Sequence, residues 1–286
     1  MSHDYRGVQW TPFKVKYDRL VLMGIGLYLS AFIVVSSVFT PLEESFAPIQ
    51  LLIRATGTLS FGLLTFILTI GPLARLTPRF KPFLYNRRHL GVTTFLIALI
   101  HGGLVLLWYH GFSNVNPLVS LFVSNPRYGS LAGFPFESLG FVALMIMFLM
   151  AATSHDFWNA NLGPAVWKTI HMGVYLAYGL LVAHVALGAI QFEKDPAYVV
   201  ILSAGAALVA GLHITTGIIG VRYRGAAGPD GWLNVAAFDD IENNRAKIVQ
   251  PDTGEAIAVF RHGDEISAVS NVCRHQGGPL GEGKIV

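Results

Sequence analysis

Six long apolar runs constrain the fold of this 286-residue sequence more than any other feature. They cover residues 20–39, 49–73, 90–109, 136–152, 166–190 and 198–220. A helix needs about 20 apolar residues to cross the hydrocarbon core of a bilayer. Only 13% of the residues are charged, whereas a soluble domain carries about 25%. The sequence therefore predicts six transmembrane helices embedded in a lipid bilayer, of which the fourth is the shortest.

Lysine and arginine alternate between the two sides of these runs, and this bias sets the orientation of a membrane protein. One set of flanks is basic and holds Lys14, Lys16, Arg19, Arg75, Arg79, Lys81, Arg87, Arg88, Arg222 and Arg224. The opposite set holds Glu43, Glu44, the single Arg127 and Glu193-Lys-Asp195. We therefore expect both termini in the cytoplasm. The net charge of +3 is too small to suggest binding to nucleic acid.

The composition changes after the sixth run. Residues 225–229 have the glycine and proline content of a linker, and short alternating runs follow at 256–260 and 266–269, with turn signals at 252–254 and 262–264. We predict a cytoplasmic segment (1–19), a transmembrane domain (20–224), a linker (225–231) and a β-rich unit (232–286). The fold class is thus all-α in the membrane, followed by a β-rich unit that we expect to be truncated.

Histidine dominates the ionisable residues of the spans, where polar side chains are costly and mark functional sites. His101 lies 13 residues beyond Arg88 and His184 lies 16 beyond Lys168, on spans that both run outward. Their depths therefore match, and two neutral imidazoles at one level suit the axial positions of a haem. The alternative is that these histidines bond to backbone carbonyls or line a polar cavity.

A second histidine site would lie nearer the cytoplasmic face. His171 is separated from His184 by about 20 Å of helix, at 1.5 Å per residue. Its candidate partners are His89, at the entrance of the third span, and His213, on the inner half of the sixth. The step from His89 to His101 turns the helix by about 120° away from a shared face, which counts against His89.

Several motifs support a haem site. They are Asn86-Arg-Arg-His-Leu-Gly91, Thr153-Ser154, Leu162-Gly163, Trp167, Ile170-His171, Tyr175-Leu176 and His184. In order and spacing they resemble the ferric-reductase-like transmembrane family. Within that family they are most similar to the haem-binding membrane subunit of bacterial periplasmic methionine sulfoxide reductase systems. The resemblance covers about 170 residues. It implies one or two b-type haems, with His101, His171 and His184 as ligands, in a bacterial inner membrane protein.

Arg87 departs from the pattern of many relatives, which have a histidine at this position. The methionine sulfoxide reductase subunit also has an arginine there. Arg87 and Arg88 would either pair with haem propionates or anchor the chain at the cytoplasmic face. Both readings remain open on the sequence.

The last segment contains a motif with metal-ligand spacing, Asn271-Val-Cys273-Arg-His275-Gln-Gly277-Gly-Pro-Leu280. It resembles the first ligand loop of Rieske proteins, in which two cysteines and two histidines hold a 2Fe-2S cluster. The resemblance implies that Cys273 and His275 are ligands. A buried cysteine beside a surface histidine would not account for the Gly-Gly-Pro-Leu that follows. Cys273 is the one cysteine, so two of four ligands are present and we expect a fragment of a longer protein.

These features predict a membrane electron-transfer subunit rather than a stand-alone enzyme. Single electrons would pass from a cytoplasmic flavoprotein or ferredoxin-like donor, through a Rieske centre and haem, to a periplasmic reductase or a quinone. The direction follows from the resemblance. The alternative is a terminal reductase of ferric chelates or oxygen, which needs flavin and nicotinamide domains. Gly24-Ile-Gly26 lies within a span and lacks the third glycine of a dinucleotide fingerprint.

Overall fold

The computed structural model describes residues 12–39, 46–192, 196–222, 231–251, 255–273 and 279–285. Within these ranges the α-helices are α1 (Pro12–Phe39), α2 (Pro48–Leu76), α3 (Lys81–Tyr85), α4 (Arg87–Val105), α5 (Pro117–Val123), α6 (Phe136–Ala152), α7 (Asp156–Leu187), α8 (Ala189–Phe192) and α9 (Pro196–Arg222). The strands are β1 (Ala246–Val249), β2 (Ile257–His262) and β3 (Glu265–Ser270). This order confirms the predicted fold class, a helical membrane part followed by a β-rich part.

Five of the described helices are long and apolar enough to cross a membrane, and they contain five of the predicted spans. Their apolar segments are Lys14–Phe39, Pro48–Leu76, Arg87–His110, Ala165–Gln191 and Tyr198–Ile219. The sixth predicted span is α6, an apolar helix of 17 residues. At 1.5 Å per residue it measures about 26 Å, a little less than the hydrocarbon thickness. The chain is a multi-span membrane protein.

Two helices depart from regular geometry at points that the apolar pattern does not indicate. α4 continues as a π-helical turn over Leu106–His110, and such turns frequently occur at functional sites. α7 is interrupted at Gly163, which has a φ of +73°. Glycine adopts this left-handed conformation without a steric penalty, so a change of direction is possible there.

The chain divides into two compact units, and the first comprises Met1–Phe157 and Met172–Val209. Its core brings together apolar residues of α2, α4, α6, α7 and α9: Leu64, Leu68, Phe95, Ala143, Met147, Ala177, Tyr178 and Val209. The Tyr178 ring stacks on Phe61 with 5.5 Å between ring centres, and its hydroxyl lies 3.1 Å from the Thr65 hydroxyl. This buried polar contact is satisfied and fixes α7 against α2.

The second unit comprises Trp158–His171 and Ala210–Val286, and it contains an antiparallel sheet with the order β1-β2-β3. Ala246 pairs with Phe260 and His262 pairs with Glu265. β2 and β3 match the predicted runs, and the turn between them falls at Gly263, with a φ of +58°. The predicted turn at 252–254 and linker at 225–229 lie outside the described residues.

Gly281 packs tightly against this sheet. A Cβ at this position would lie 2.6 Å from Cγ1 of Ile248 and 3.1 Å from Cβ of Ala258. It would also lie 3.0 Å from Oδ1 of Asn271, which accepts a hydrogen bond from the Gly281 N–H. A side chain at position 281 would therefore disturb both the packing and a buried hydrogen bond.

We expect Gly281→Ala to destabilise the β-rich unit by about 1–3 kcal/mol, because the added methyl group overpacks the contact between Gly281 and the sheet. Hydrogen–deuterium exchange of the β2 amides in the full chain would measure the loss of protection. Ser267→Ala, at an exposed position of β3, is the matched control. Equal protection in both variants would contradict the tight packing.

Candidate functional site

The structure brings the imidazoles of His101 and His184 together, in agreement with their matched depth. His101 lies on α4 and His184 on α7, both within the first unit. Their ring centres are 6.4 Å apart and their planes are nearly perpendicular, at 85°. Two residues separated by more than 80 positions in the sequence therefore form one site.

Each of these rings forms a hydrogen bond with a backbone carbonyl of a neighbouring helix. Nδ1 of His101 lies 2.9 Å from the carbonyl oxygen of Ile53 in α2. Nδ1 of His184 lies 2.8 Å from the carbonyl oxygen of Phe136 at the start of α6. A carbonyl oxygen only accepts, so each Nδ1 donates its proton and the lone pair of the neutral ring lies on Nε2. Metal-binding histidines are usually oriented in this way.

A glycine packs against each ring. A Cβ at Gly57 would lie 2.9 Å from Cε1 of His101, and a Cβ at Gly140 would lie 2.8 Å from Cε1 of His184. The sequence alone suggests that Gly57 and Gly62 form a helix–helix contact. The structure refines this interpretation, because Gly57 lies against the His101 ring whereas a Cβ at Gly62 would meet no atom within 4 Å.

The separation of the two rings fits one metal ion bound between them. An imidazole nitrogen binds a metal at about 2 Å, so two imidazoles on one metal ion would have ring centres about 6 Å apart. The observed separation is 6.4 Å. Histidine is an axial ligand of haem iron. The donor atoms, their tautomer and their spacing therefore fit a haem held between α4 and α7.

His171 and His213 lie in the second unit. Nδ1 of His171 lies 2.9 Å from the carbonyl oxygen of Trp167, one turn earlier, and the two rings stack with 3.8 Å between centres. His213 is half-buried on α9, and its carbonyl accepts a hydrogen bond from the Thr216 hydroxyl. That His171 and His213 are haem ligands stays a prediction.

His89 has a partner on another helix. Its Nε2 lies 2.7 Å from Oδ1 of Asp18 in α1, and its ring lies edge-on to Tyr17 at 5.8 Å. The side chain of His89 is 52% exposed. This contact joins α1 to the start of α4, so it gives His89 a structural role.

Arg87 and Arg88 form the first turn of α4. Nη1 of Arg87 would lie 3.0 Å from a Cβ built on Gly71, so this guanidinium packs against α2. The Arg88 side chain is half-buried. Contact of either arginine with haem propionates stays a prediction.

Cys273 directly follows a residue that forms a β-bridge. Val272 and Pro279 form an antiparallel bridge. The Leu280 N–H donates to the Asn271 carbonyl at 2.7 Å. The Cys273 side chain is half-buried, and His275 lies outside the described residues. With one cysteine, the sequence does not complete the ligand set of a Rieske centre. Among the described residues, no group of three or more His, Cys, Asp or Glu side chains could hold a metal ion.

Sequence reasoning missed His110, at the end of the π-helical turn. Its side chain is 4% exposed, with Nδ1 at 2.9 Å from the Ser120 hydroxyl and Nε2 at 3.3 Å from Oε2 of Glu137. The polar residues that follow it in the sequence indicate a surface loop. α5 packs over His110 and buries it. The sequence of this short helix has no clear hydrophobic periodicity that would predict the contact.

Two family models and several named proteins match this chain. Residues 56–182 match the ferric reductase like transmembrane component, and residues 231–286 match the Rieske [2Fe-2S] domain. The protein-methionine-sulfoxide reductase heme-binding subunit MsrQ of Caulobacter vibrioides is 34% identical over 140 residues, which are 48% of this chain and 60% of that protein. MsrQ of Ralstonia nicotianae is 30% identical over 181 residues, 63% of this chain and 78% of that protein. No solved structure matches the chain significantly.

The membrane helices, the paired imidazoles and these matches define a ferric-reductase-like transmembrane protein with an appended Rieske-type segment. Within that class, the chain belongs to the family of MsrQ, the heme-binding subunits of protein-methionine-sulfoxide reductase. It spans 60% of the length of the C. vibrioides relative.

Proposed function

We propose that this chain is a membrane electron-transfer protein that holds a b-type haem between His101 and His184. The observation that carries the proposal is the pair of imidazoles 6.4 Å apart, each with Nδ1 bonded to a backbone carbonyl. The relatives are named as heme-binding subunits, which supports the same reading. Haem bound here would supply a one-electron redox couple.

The residues around the two histidines prepare them for this role. The carbonyls of Ile53 and Phe136 accept from Nδ1, which fixes the orientation and the tautomer of each ring. Gly57 and Gly140 let their helices approach the imidazoles more closely than any side chain would permit. The protein itself thus holds both imidazoles in the orientation that haem ligation would need.

A second haem at His171 is part of the proposal. The Nδ1 of His171 is also bonded to a backbone carbonyl, and this is the pattern of the other two ligands. His213 is the favoured partner, because His89 contacts Asp18. This arrangement would place the inner site nearer the basic, cytoplasmic flank of the spans.

We further propose that Cys273 and His275 form one ligand pair of a Rieske 2Fe-2S centre. The match of residues 231–286 to the Rieske domain and the bridge between Val272 and Pro279 support this assignment. We also propose that both termini lie in the cytoplasm. The proposed segments are a cytoplasmic segment, a transmembrane domain, a linker and a Rieske-type unit, with the bounds 1–19, 20–224, 225–231 and 232–286. The protein would then take single electrons from a cytoplasmic donor and deliver them to a periplasmic reductase or a quinone.

The haem content of the purified chain tests the ligand assignment. We expect two b haems per polypeptide by pyridine haemochrome, with His101→Ala and His184→Ala each removing the same haem and His171→Ala removing the other. The reason is that each haem loses one of two axial ligands. His262→Ala is the control, because His262 is an exposed histidine of β2 that bonds to Asn244.

Other outcomes of this measurement are informative. A single haem that is lost with His101 or His184 but kept in His171→Ala would remove the inner site. A wild-type chain without haem would refute the central proposal.

The glycine contacts generate a separate prediction. We expect Gly57→Ala and Gly140→Ala to lower the haem content at least several-fold, because each added methyl group would lie under 3.0 Å from a ligand ring. Gly62→Ala is the matched control, since a Cβ there would meet no atom within 4 Å. Equal haem content in Gly57→Ala, Gly140→Ala and Gly62→Ala would contradict the role of these contacts.

The match to the ferric reductase like component makes a terminal ferric-chelate reductase the second candidate. Anaerobic reoxidation of the reduced protein separates the two functions. We expect reduced haem to persist with ferric citrate and to be reoxidised by an added periplasmic methionine sulfoxide reductase with its substrate. Rapid reoxidation by ferric citrate alone would favour the reductase.

A further inference from the structure

His110 joins three elements at the end of α4 that lies beyond His101. It ends the π-helical turn, its Nδ1 lies 2.9 Å from the hydroxyl of Ser120 in α5, and its Nε2 lies 3.3 Å from a carboxylate oxygen of Glu137 in α6. A histidine that is only 4% exposed must recover its lost hydration from such partners. The cluster therefore fixes the relative positions of α4, α5 and α6.

The two nitrogens of His110 differ in their contacts. The Ser120 hydroxyl can donate to Nδ1, which leaves the proton on Nε2 facing the Glu137 carboxylate. Nε2 is near enough for an ion pair but is not aligned as a hydrogen bond, and it is a buried side-chain nitrogen without a hydrogen-bond partner. A buried polar atom in this state needs a functional or structural reason.

Glu137 connects this cluster to the histidine pair. The residue before it, Phe136, supplies the carbonyl that accepts from Nδ1 of His184. The Phe136 ring also lies 5.4 Å from the His184 ring and packs against Gly188, where a Cβ would collide with it. Phe136 thus packs against α7. A shift of the first turn of α6 would therefore move the carbonyl that bonds to Nδ1 of His184.

We propose that His110 and Glu137 are positioning residues for the axial ligand His184. By holding the first turn of α6, they keep the Phe136 carbonyl in place and so set the plane and the Nδ1 hydrogen bond of the His184 imidazole. This inference rests on the proposed haem function. It assigns a role to a buried histidine that the electron-transfer proposal itself does not use.

Two substitutions at position 110 separate its contacts. In His110→Asn the amide reaches the position of Nδ1, so the contact with Ser120 is kept and the contact with Glu137 is lost. In His110→Gln the amide reaches the position of Nε2, so the contact with Glu137 is kept. Glu137→Ala removes the same contact from the other side. His262→Asn, in the exposed part of β2, is the control.

The readouts are the low-spin EPR signal and the midpoint potential of the haem that His184→Ala removes. Both respond to the orientation and basicity of the axial imidazoles. We expect His110→Asn and Glu137→Ala to shift both quantities for this haem and to leave any second haem unchanged. His110→Gln should remain near wild type, and the His110→Asn/Glu137→Ala double variant should shift no further than either single variant.

Wild-type spectra and potentials in both His110→Asn and Glu137→Ala, at full haem content, would overturn the proposal. If neither of these variants accumulates in the membrane, Glu137→Met decides, because it keeps the length of the side chain and removes the acceptor oxygen: a shifted signal supports positioning, and an unchanged signal overturns it. Failure of the haem function itself is distinguishable, because the wild-type chain would then lack a His184-dependent signal.

Discussion

The hydrogen bonds from Nδ1 of His101 and His184 to backbone carbonyls are the constraint on which the site depends. Inside a membrane an imidazole cannot obtain these bonds from bulk water, so the protein has to supply an acceptor. The Ile53 carbonyl lies within a helix, and the Phe136 carbonyl lies where the next helix begins. Because Nδ1 makes both bonds, each ring carries its lone pair on Nε2. This shared tautomer determines which nitrogen of each ring can bind a metal.

The helical packing of the first unit serves this geometry. Glycines 57 and 140 permit close approach to the rings, while the apolar core around Tyr178 holds α7 against α2. A ligand pair on two helices is only as precise as the packing that sets their rotation and depth. The buried contact between Tyr178 and Thr65 therefore contributes to the site even though it lies outside it.

The sequence predicts the elements with strong periodic or motif signals. Apolar length reveals the spans, and depth counted from the basic flanks pairs His101 with His184. The Cys-x-His spacing indicates a Rieske-type loop, to which residues 231–286 correspond. The acceptors of the imidazole protons and the burial of His110 depend on long-range packing of carbonyls, glycines and the short helix α5, which leaves no local pattern. The partner of His171 is undetermined by sequence for the same reason, since depth alone does not give rotation.

The π-helical turn over Leu106–His110 has a consequence for how α4 is organised. A π turn contains one more residue than an α turn, and one residue corresponds to about 100° of rotation around a helix axis. The α-helical part of α4 therefore directs His101 towards α7, and the π-helical turn that follows directs His110 towards α6. The extra residue thereby sets the angle between His101 and His110 around the helix axis, so the orientation of His110 towards Glu137 depends on the length of the π-helical turn as well as on the identity of its residues.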